Sequence, residues 1–575
     1  MSWRIKANLR QLLAAERPWP VLGGGGERRF VLAFANTYHL AMSNLGFQTV
    51  YALLKNRPQV DVRRAFLPDT EMLAEHVRTA TSWLTLEDQR PAAQAEVIAF
   101  SLPFENDYLN LLTLLDLAGL PLRAGQREEA HPLILAGGIA PSLNPEPLAP
   151  FVDVILIGEA EAVLPEFLDA YQEAASLDRR EMLKAIGRNV AGAYLPRFYR
   201  PQYDSQGRFQ GYDRTESDLP ARIERRFLKT IDRPAASAIV SPATEFPDRP
   251  LIEIARGCGR GCRFCAAGYI LRPPRQPPFE ATLEAVRQGA EKFGQVGLVS
   301  AAVSDRPGVE ELCLAAIHAG AKVSVSSLRA DTLSPTLARL LAQAGVRTLT
   351  LAPEAGSQRL RQVINKGLSE ESILEASLVT LEAGIRNLKL YFMIGLPTET
   401  DQDVEAIGTL VKKIVHHLKA ASQGGSFNLI TLSVSSFVPK PQTPFQWAPM
   451  AQVKELKRRA RLLKSSLKGR KRIRITFDRP KWAAIEGLLA RGDRRVGQLL
   501  EAAFETSGDW DRAFKSSNLN PDYYTARERD PDEPLPWEIV DSGIERGFLW
   551  DEFQRSLKGQ ESPACFEGCH RCGVC

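Results

Sequence analysis

Arg256-Gly257-Cys258-Gly259-Arg260-Gly261-Cys262-Arg263-Phe264-Cys265 is the stretch on which the reading of this chain turns. Three cysteines fall within ten residues at spacing C-x3-C-x2-C, with an aromatic residue before the last and glycines around the first two. Three thiolates on one short loop can hold three corners of a 4Fe–4S cluster and leave the fourth iron open to a small molecule. Glycines let the backbone turn tightly around the cluster and aim N–H groups at its sulfurs. A zinc knuckle is the alternative, but zinc asks for four ligands, usually in two separated pairs, and no second pair lies nearby in the chain.

The loop resembles that of the radical S-adenosylmethionine (radical SAM) enzymes, whose signature C-x3-C-x-φ-C, with φ aromatic, is matched by Cys258, Cys262, Phe264 and Cys265. The resemblance implies that these three cysteines hold the catalytic cluster and that its open iron takes the amino and carboxyl groups of SAM. An electron from the cluster then yields a 5′-deoxyadenosyl radical, with Phe264 packed near the adenine. Working outward, apolar runs at Leu251–Ala255, Val296–Ser300, Lys322–Ser327, Val346–Leu351, Leu388–Pro397 and Phe427–Phe437 alternate with helical patterns. Six such units fit the partial (β/α)6 barrel of the radical SAM fold, and the cysteine loop occupies the carboxyl end of a strand, where barrels place their chemistry. By the same resemblance, Glu354 in Ala352-Pro353-Glu354-Ala355-Gly356-Ser357 is expected at the ribose hydroxyls, where a carboxylate offers paired acceptors. Gly395 and Pro397 are expected beside adenine. Ser300–Asp305 stands where the SAM amino group is held but lacks the usual Gly-Gly-Glu; Arg329 would reach the SAM carboxylate or form a surface ion pair.

Upstream, Phe30–Phe34, Val97–Ser101, Pro132–Gly138 and Asp153–Glu159 read as buried strands, with helical spacing at Leu45–Leu54, Tyr108–Ala118 and from Ala162. Apolar strands alternating with helices predict a parallel sheet covered on both faces. Ligands of such sheets bind at the strand carboxyl ends, which brings Ser101, Gly137, Gly138 and Glu159 to one edge. Gly137-Gly138, Pro145-Glu146-Pro147 and Gly158-Glu159-Ala160-Glu161 resemble the cobalamin-binding-like domain that precedes many radical SAM cores. The cobalt-ligating D-x-H-x-x-G is absent: the matching loop runs from Asn36 to Gly46 and its His39 is outside that motif. Bound cobalamin and a scaffold that kept the fold without the cofactor both remain open. Residues 3–16 read as a basic amphipathic helix and Gly23–Gly26 as a hinge.

Downstream, the proline- and aromatic-rich Phe437–Trp447 closes the core. Lys454–Arg474 is strongly basic with Glu455 its only acid, and reads either as a solvated helix face or as a surface for RNA phosphates. The terminal Cys565, Cys569, Cys572 and Cys575 have the spacing C-x3-C-x2-C-x2-C, closer to the compact loops of ferredoxin-type clusters than to a zinc ribbon. A second 4Fe–4S cluster is expected there, with zinc as the rival. The layout is similar to that of an uncharacterised radical SAM family with an Arg491-Gly492-Asp493-Arg494-Arg495 turn, Leu535-Pro536-Trp537 and a terminal Cys572-Gly573-Val574-Cys575.

The 575 residues divide on this reading into a cobalamin-binding-like Rossmann domain (1–195), a linker with a short hairpin (196–245), the radical SAM core (246–475) and a small α-rich C-terminal domain (476–575). A net charge of +5 neither demands nor excludes nucleic acid. Seven of eight cysteines lie in the two tight clusters, which points to metal ligands in a reducing compartment rather than disulfides. The eighth, Cys313, reads as a small buried apolar residue. No apolar run has the length of a signal peptide core or a membrane span, so a cytoplasmic enzyme is expected. Its function is read as radical modification of an unidentified substrate (RNA, peptide, lipid or small molecule) with electrons from flavodoxin or ferredoxin, and cobalamin-dependent methyl transfer as one outcome. RNA methylthiolation and a non-catalytic iron–sulfur or zinc scaffold are the alternatives.

Overall fold

The structure, a computed structural model, describes residues 2–20, 23–421, 427–566 and 568–575. Six strands, β1 (Arg28–Phe34), β2 (Val60–Phe66), β3 (Val97–Ser101), β4 (Leu133–Gly137), β5 (Val154–Leu156) and β6 (Ala193–Tyr194), form one sheet in the order β2-β1-β3-β4-β5-β6. Neighbours are parallel except at β5–β6. Strands such as Val97-Ile98-Ala99-Phe100 are apolar throughout because helices cover both faces, and all four side chains are buried. The chain steps from β1 outward to β2 and then back past β1 to β3. That reversal opens a crevice at the strand carboxyl ends.

β2 did not stand out in the sequence because Val60-Asp61-Val62-Arg63-Arg64-Ala65-Phe66 carries two arginines. Arg64 is nonetheless fully buried, with its guanidinium 2.6 Å from Glu16 and 2.8 Å from Glu87. A buried charge needs such pairing, and here long-range partners supply it.

The second body holds seven parallel strands in chain order: β7 (Leu251–Glu253), β8 (Gln295–Val299) and β9 (Lys322–Val325), then β10 (Thr348–Glu354), β11 (Asn387–Ile394), β12 (Leu429–Ser436) and β13 (Ile473–Phe477). A parallel bridge between Leu328 and Leu351 joins the two groups. Sequential order with a helix after each strand gives an open, partial barrel. One strand exceeds the expected six. β13 lies across the end of the basic stretch: helix α1 (Val453–Ser466) stops before Gly469 (φ +81°), and Ile473-Arg474-Ile475-Thr476-Phe477 then alternates with the period of a strand.

Between the bodies, Tyr199–Tyr203 and Phe209–Arg214 form the hairpin, while Ile223-Glu224 pairs in parallel with Val540-Asp541. The tail divides its apolar side chains. Leu488, Leu499, Leu500 and Trp510 enter the core of the first sheet, and Leu535, Trp537, Leu549 and Phe553 pack with Tyr269, Leu396 and Phe437. The Arg491–Arg495 turn is the clasp between tail and first sheet. Fully buried Arg491 donates to the carbonyls of Gln446, Ala448 and Thr525. Arg494 pairs with Glu146 at 3.0 Å, and the Asn144 amide donates to the carbonyls of Ala490 and Gly492. No helix among the described residues is long and apolar enough to cross a membrane.

Candidate active site

The first cysteine loop leaves β7 and runs into the short helix Ala266–Ile270, whose N-cap is Cys265. Gly257 (φ +78°) and Gly261 (φ +73°) adopt the left-handed backbone that glycine alone accepts freely. A Cβ on Gly257 would stand 2.5 Å from the Leu271 carbonyl oxygen, so the turn also demands closeness. Cys258, Cys262 and Cys265 are each half-buried. Burial pushes the Cys265 thiol up to about 12, and the neighbouring Cys262 and Cys258 add to it. Burial raises Cys258 as well, against the Arg260 backbone N–H. Cys258 and Cys265 each feel neighbouring thiols of the loop. A bound cation would invert this balance and favour the thiolates. Among the described residues no three His, Cys, Asp or Glu side chains converge on the point a single ion would occupy; a cube gives each thiolate its own iron.

The loop is held from outside by groups the sequence reading did not single out. Arg263 is fully buried, 3.0 Å from Glu552, and donates to the carbonyls of Val363 and Gln560. The Asn365 amide donates to the Gly261 carbonyl and accepts from the Ser562 N–H. Lys366 lies 3.1 Å from Glu354. Its burial lowers the ammonium pKa, but Glu354 and Cys262 outweigh this and hold it raised, so a cation stands beside the cluster loop. The signal for these two residues was present as Asn365-Lys366-Gly367, where Asn365 (φ +52°) and Gly367 (φ +62°) make left-handed turns.

The residues expected at SAM lie at or just after the carboxyl ends of β7, β10 and β11. Phe264 is partly buried against the cluster containing Tyr269 and Leu396. Glu354 ends β10 at φ +66°, a strained conformation for a residue with a Cβ. Gly395 (φ +90°) follows β11; its N–H donates to Glu399 at 2.7 Å, and an added Cβ would come within 2.7 Å of Leu456. Pro397 is half-buried two residues on. Burial pushes Glu399 up to about 7 against the pull of the Gly395 N–H and Arg459. Arg329 has its fork on Asp331 at 2.9 Å and donates to the Lys366 carbonyl. The ion pair, not an open fork, is what the structure holds at that position.

A cavity of about 460 Å³ lies between the two bodies. Ser101, Gly137, Gly138 and Glu159 line it from the edge of the first sheet, and Glu253, Arg256, Ile270 and Leu271 from the cysteine loop and its flanks. Its size is that of a small-molecule or cofactor site. An ion network ties Glu159 and Glu161 of the first body to Glu253 and Arg256, which lead into the cysteine loop. Glu159 meets Arg275 at 2.5 Å and Arg256 at 3.1 Å, and Arg256 also meets Glu161 at 2.6 Å and Glu253 at 2.7 Å. Burial acts to raise Glu159, but the two guanidiniums overcome it and hold the carboxyl below its usual range. Arg225 lines the cavity too, and its buried Nη1 has no protein partner; burial lowers its pKa to about 10. His39 lies outside this lining, half-exposed and 2.9 Å from Glu245.

The second cysteine group is docked on the first loop, which its distance in sequence concealed. The Cys565 N–H donates to the Gly259 carbonyl at 2.6 Å, and the Cys572 carbonyl accepts from the Glu545 N–H. Cys569 and Cys572 are buried, Cys565 is half-buried and Cys575 is exposed. Arg571 stands 3.4 Å from the Cys569 sulfur, and its backbone N–H and guanidinium draw that thiol down to about 7. Burial raises Cys565 and Cys575, and neighbouring thiols of the group add to both. Glu567 lies outside the described residues. Cys313 is fully buried in the helix Val309–His318, as its apolar surroundings required.

Known proteins resemble this chain along much of its length. The family model for the N-terminal part of radical SAM proteins matches residues 46–196, and that of the radical SAM superfamily matches residues 252–411. The uncharacterised protein MJ0966 of Methanocaldococcus jannaschii is 31% identical over 425 residues, covering 72% of this chain and 82% of that one. A tRNA-2-methylthio-N(6)-dimethylallyladenosine synthase of Chlorobium phaeovibrioides is 25% identical over 215 residues, 35% of this chain and 46% of that enzyme. Among solved structures, the radical SAM methyltransferase TsrM of Kitasatospora setae, with cobalamin and a 4Fe–4S cluster bound, superposes at a TM-score of 0.48 and 12% identity, covering 84% of this chain and 97% of that one. The cobalamin-dependent enzyme OxsB, with aqua-cobalamin and S-adenosylmethionine bound, gives 0.45 at 13% identity, with 92% and 80% covered. On the two family models and the archaeal relative together, this chain belongs to the radical SAM superfamily.

Proposed function

We propose that the protein is a radical SAM methyltransferase that binds a corrinoid between its two bodies. The observation that carries this reading is the cavity of about 460 Å³ walled on one side by a sheet edge and on the other by the strand entering the cysteine loop. When bound, the cluster and SAM supply a 5′-deoxyadenosyl radical and the corrinoid supplies a methyl carrier. Cys258, Cys262 and Cys265 would hold the cluster. Glu354 would accept from the ribose hydroxyls, and Gly395 and Pro397 would border adenine. The residues present fit a corrinoid on two counts: apolar walls from Leu32, Ala99 and Leu135, and open space before Gly137, where a Cβ would meet only the Leu156 carbonyl at 3.7 Å. No histidine lines the cavity, so a corrinoid there would lack a side-chain imidazole ligand. Cys565, Cys569, Cys572 and Cys575 would hold a second cluster, and an external flavodoxin or ferredoxin would supply electrons.

A second reading, methylthiolation, is favoured by the docking of one cysteine group on the other, since a second cluster beside the first could donate sulfur. Anaerobic reconstitution with iron, sulfide and hydroxocobalamin separates the two. Methyl transfer requires a corrinoid absorbance that remains after gel filtration and is lost in Gly137→Trp, while SAM is still cleaved to 5′-deoxyadenosine. Absence of retained corrinoid, with iron for two clusters and sulfur in the product, would favour methylthiolation.

A further inference from the structure

The charge of this protein is concentrated in one place. From Lys454 to Lys481 there are thirteen Lys and Arg residues against two carboxylates, Glu455 and Asp478, a net +11. The whole chain carries +5, so everything outside this segment is net −6. Such asymmetry is far from a uniformly solvated surface. Part of it is neutralised locally: Arg458 pairs with Asp401 and Glu455, Arg459 with Glu399 and Glu455, and Lys481 with Asp511. Lys457, Arg461 and Lys464 are exposed and make no ion pair among the described residues.

These three residues share one face of α1 at spacings of four and three, about 6 and 10 Å along the axis from the first. They line an open groove of about 400 Å³ whose other wall is Phe477, Asp478 and Pro480 at the end of β13. β13 is the edge of its sheet, with Arg474 and Thr476 exposed, and Trp482 is 43% exposed on the following helix. The floor of the groove includes Ile394, the residue before Gly395. The groove thus reaches the carboxyl end of β11, one residue before the position proposed to border adenine. The opposite face of α1, Leu456 and Leu463, is fully buried. Nothing apolar on the outward face is left to enter a bilayer, as a membrane-surface helix requires.

We propose that this groove binds single-stranded RNA. Spaced cations track its phosphates and an aromatic ring at the strand end accepts a base by stacking. Unpaired strands are also the form in which RNA bases are open to an active site. That the bound strand is the substrate rests on the radical SAM reading; the binding itself does not.

The test is fluorescence anisotropy of the reconstituted full chain with a labelled oligouridylate across about 50 to 200 mM KCl. Lys457→Ala/Arg461→Ala/Lys464→Ala is expected to lose at least roughly tenfold in affinity and to flatten the log–log salt slope by about 2. Phe477→Leu should weaken binding by roughly tenfold at unchanged slope, and Arg287→Ala on the helix Phe279–Phe293 should match the parent. Equal binding by the triple variant overturns the proposal. So does tighter binding of oligothymidylate, of polyglutamate or of anionic vesicles by the parent protein. SAM cleavage measured on the same preparations reports separately: its absence with RNA bound would remove the radical reading and leave the groove standing.

Discussion

The two cysteine groups touch, yet they are built differently. The first is woven into the fold: it leaves a strand, turns on left-handed glycines, and is braced by Arg263 and by the network around Arg256. Burial there pushes the Cys258 and Cys265 thiols up. The second rides on the first through one backbone hydrogen bond from Cys565 and reaches the surface at Cys575. Its one strongly shifted thiol, Cys569, is drawn down by an arginine. The difference teaches that the first loop is held by left-handed turns and long-range ion pairs, whereas the second is held by backbone hydrogen bonds and by the burial of Cys569 and Cys572.

The sharpest break of that comparison is Cys258→Ala/Cys262→Ala/Cys265→Ala. It should abolish 5′-deoxyadenosine formation, a loss of more than about a thousandfold, and remove about four irons per chain, while far-UV circular dichroism is unchanged. Glu159→Gln comes next. It leaves Arg256 and Arg275 without their shared buried carboxylate and should cost about 3–5 kcal/mol, read as a lower Tm. Because the folded-state pKa of Glu159 is depressed, its stabilisation is present above the ordinary carboxylate range and is lost as pH falls through that range toward the folded value. The Tm gap between parent and variant should therefore narrow in acid. Cys569→Ala/Cys572→Ala should remove the second set of irons but keep SAM cleavage within about tenfold; a loss as complete as that of the first triple variant would mean the two groups form one centre. Smallest is Cys575→Ser. Iron of the tail should become faster to extract with a chelator, while Tm moves by no more than about 0.5 kcal/mol would cause and 5′-deoxyadenosine formation is unaffected.

The comparison also explains what the sequence disclosed. Strands such as Val97–Ser101 and Leu133–Gly137 were legible because burial on both faces leaves an unbroken apolar run. Ser101, Gly137, Gly138 and Glu159 could be placed on one edge by chain direction alone, and they line one cavity. β2 and β13 were hidden by their arginines, the first because Glu16 and Glu87 neutralise a buried guanidinium, the second because an edge strand turns Arg474 and Thr476 to solvent and only half-buries its other face. The docking of Cys565 on Gly259 could not be read from spacing, since a contact across some three hundred residues leaves no periodic trace. Lys366 and Arg225 were missed for the same reason: their meaning lies in neighbours brought by other strands.

Arg256 stands one glycine before Cys258 and at the same time forms the cavity wall with Glu159 and Glu161. Two occupants, one on each side of that guanidinium, would share a single partition. If either shifts it, thermodynamic reciprocity obliges each to alter the other's affinity by the same factor. Loading order would then set the route by which the holoprotein is assembled but leave its final occupancy untouched.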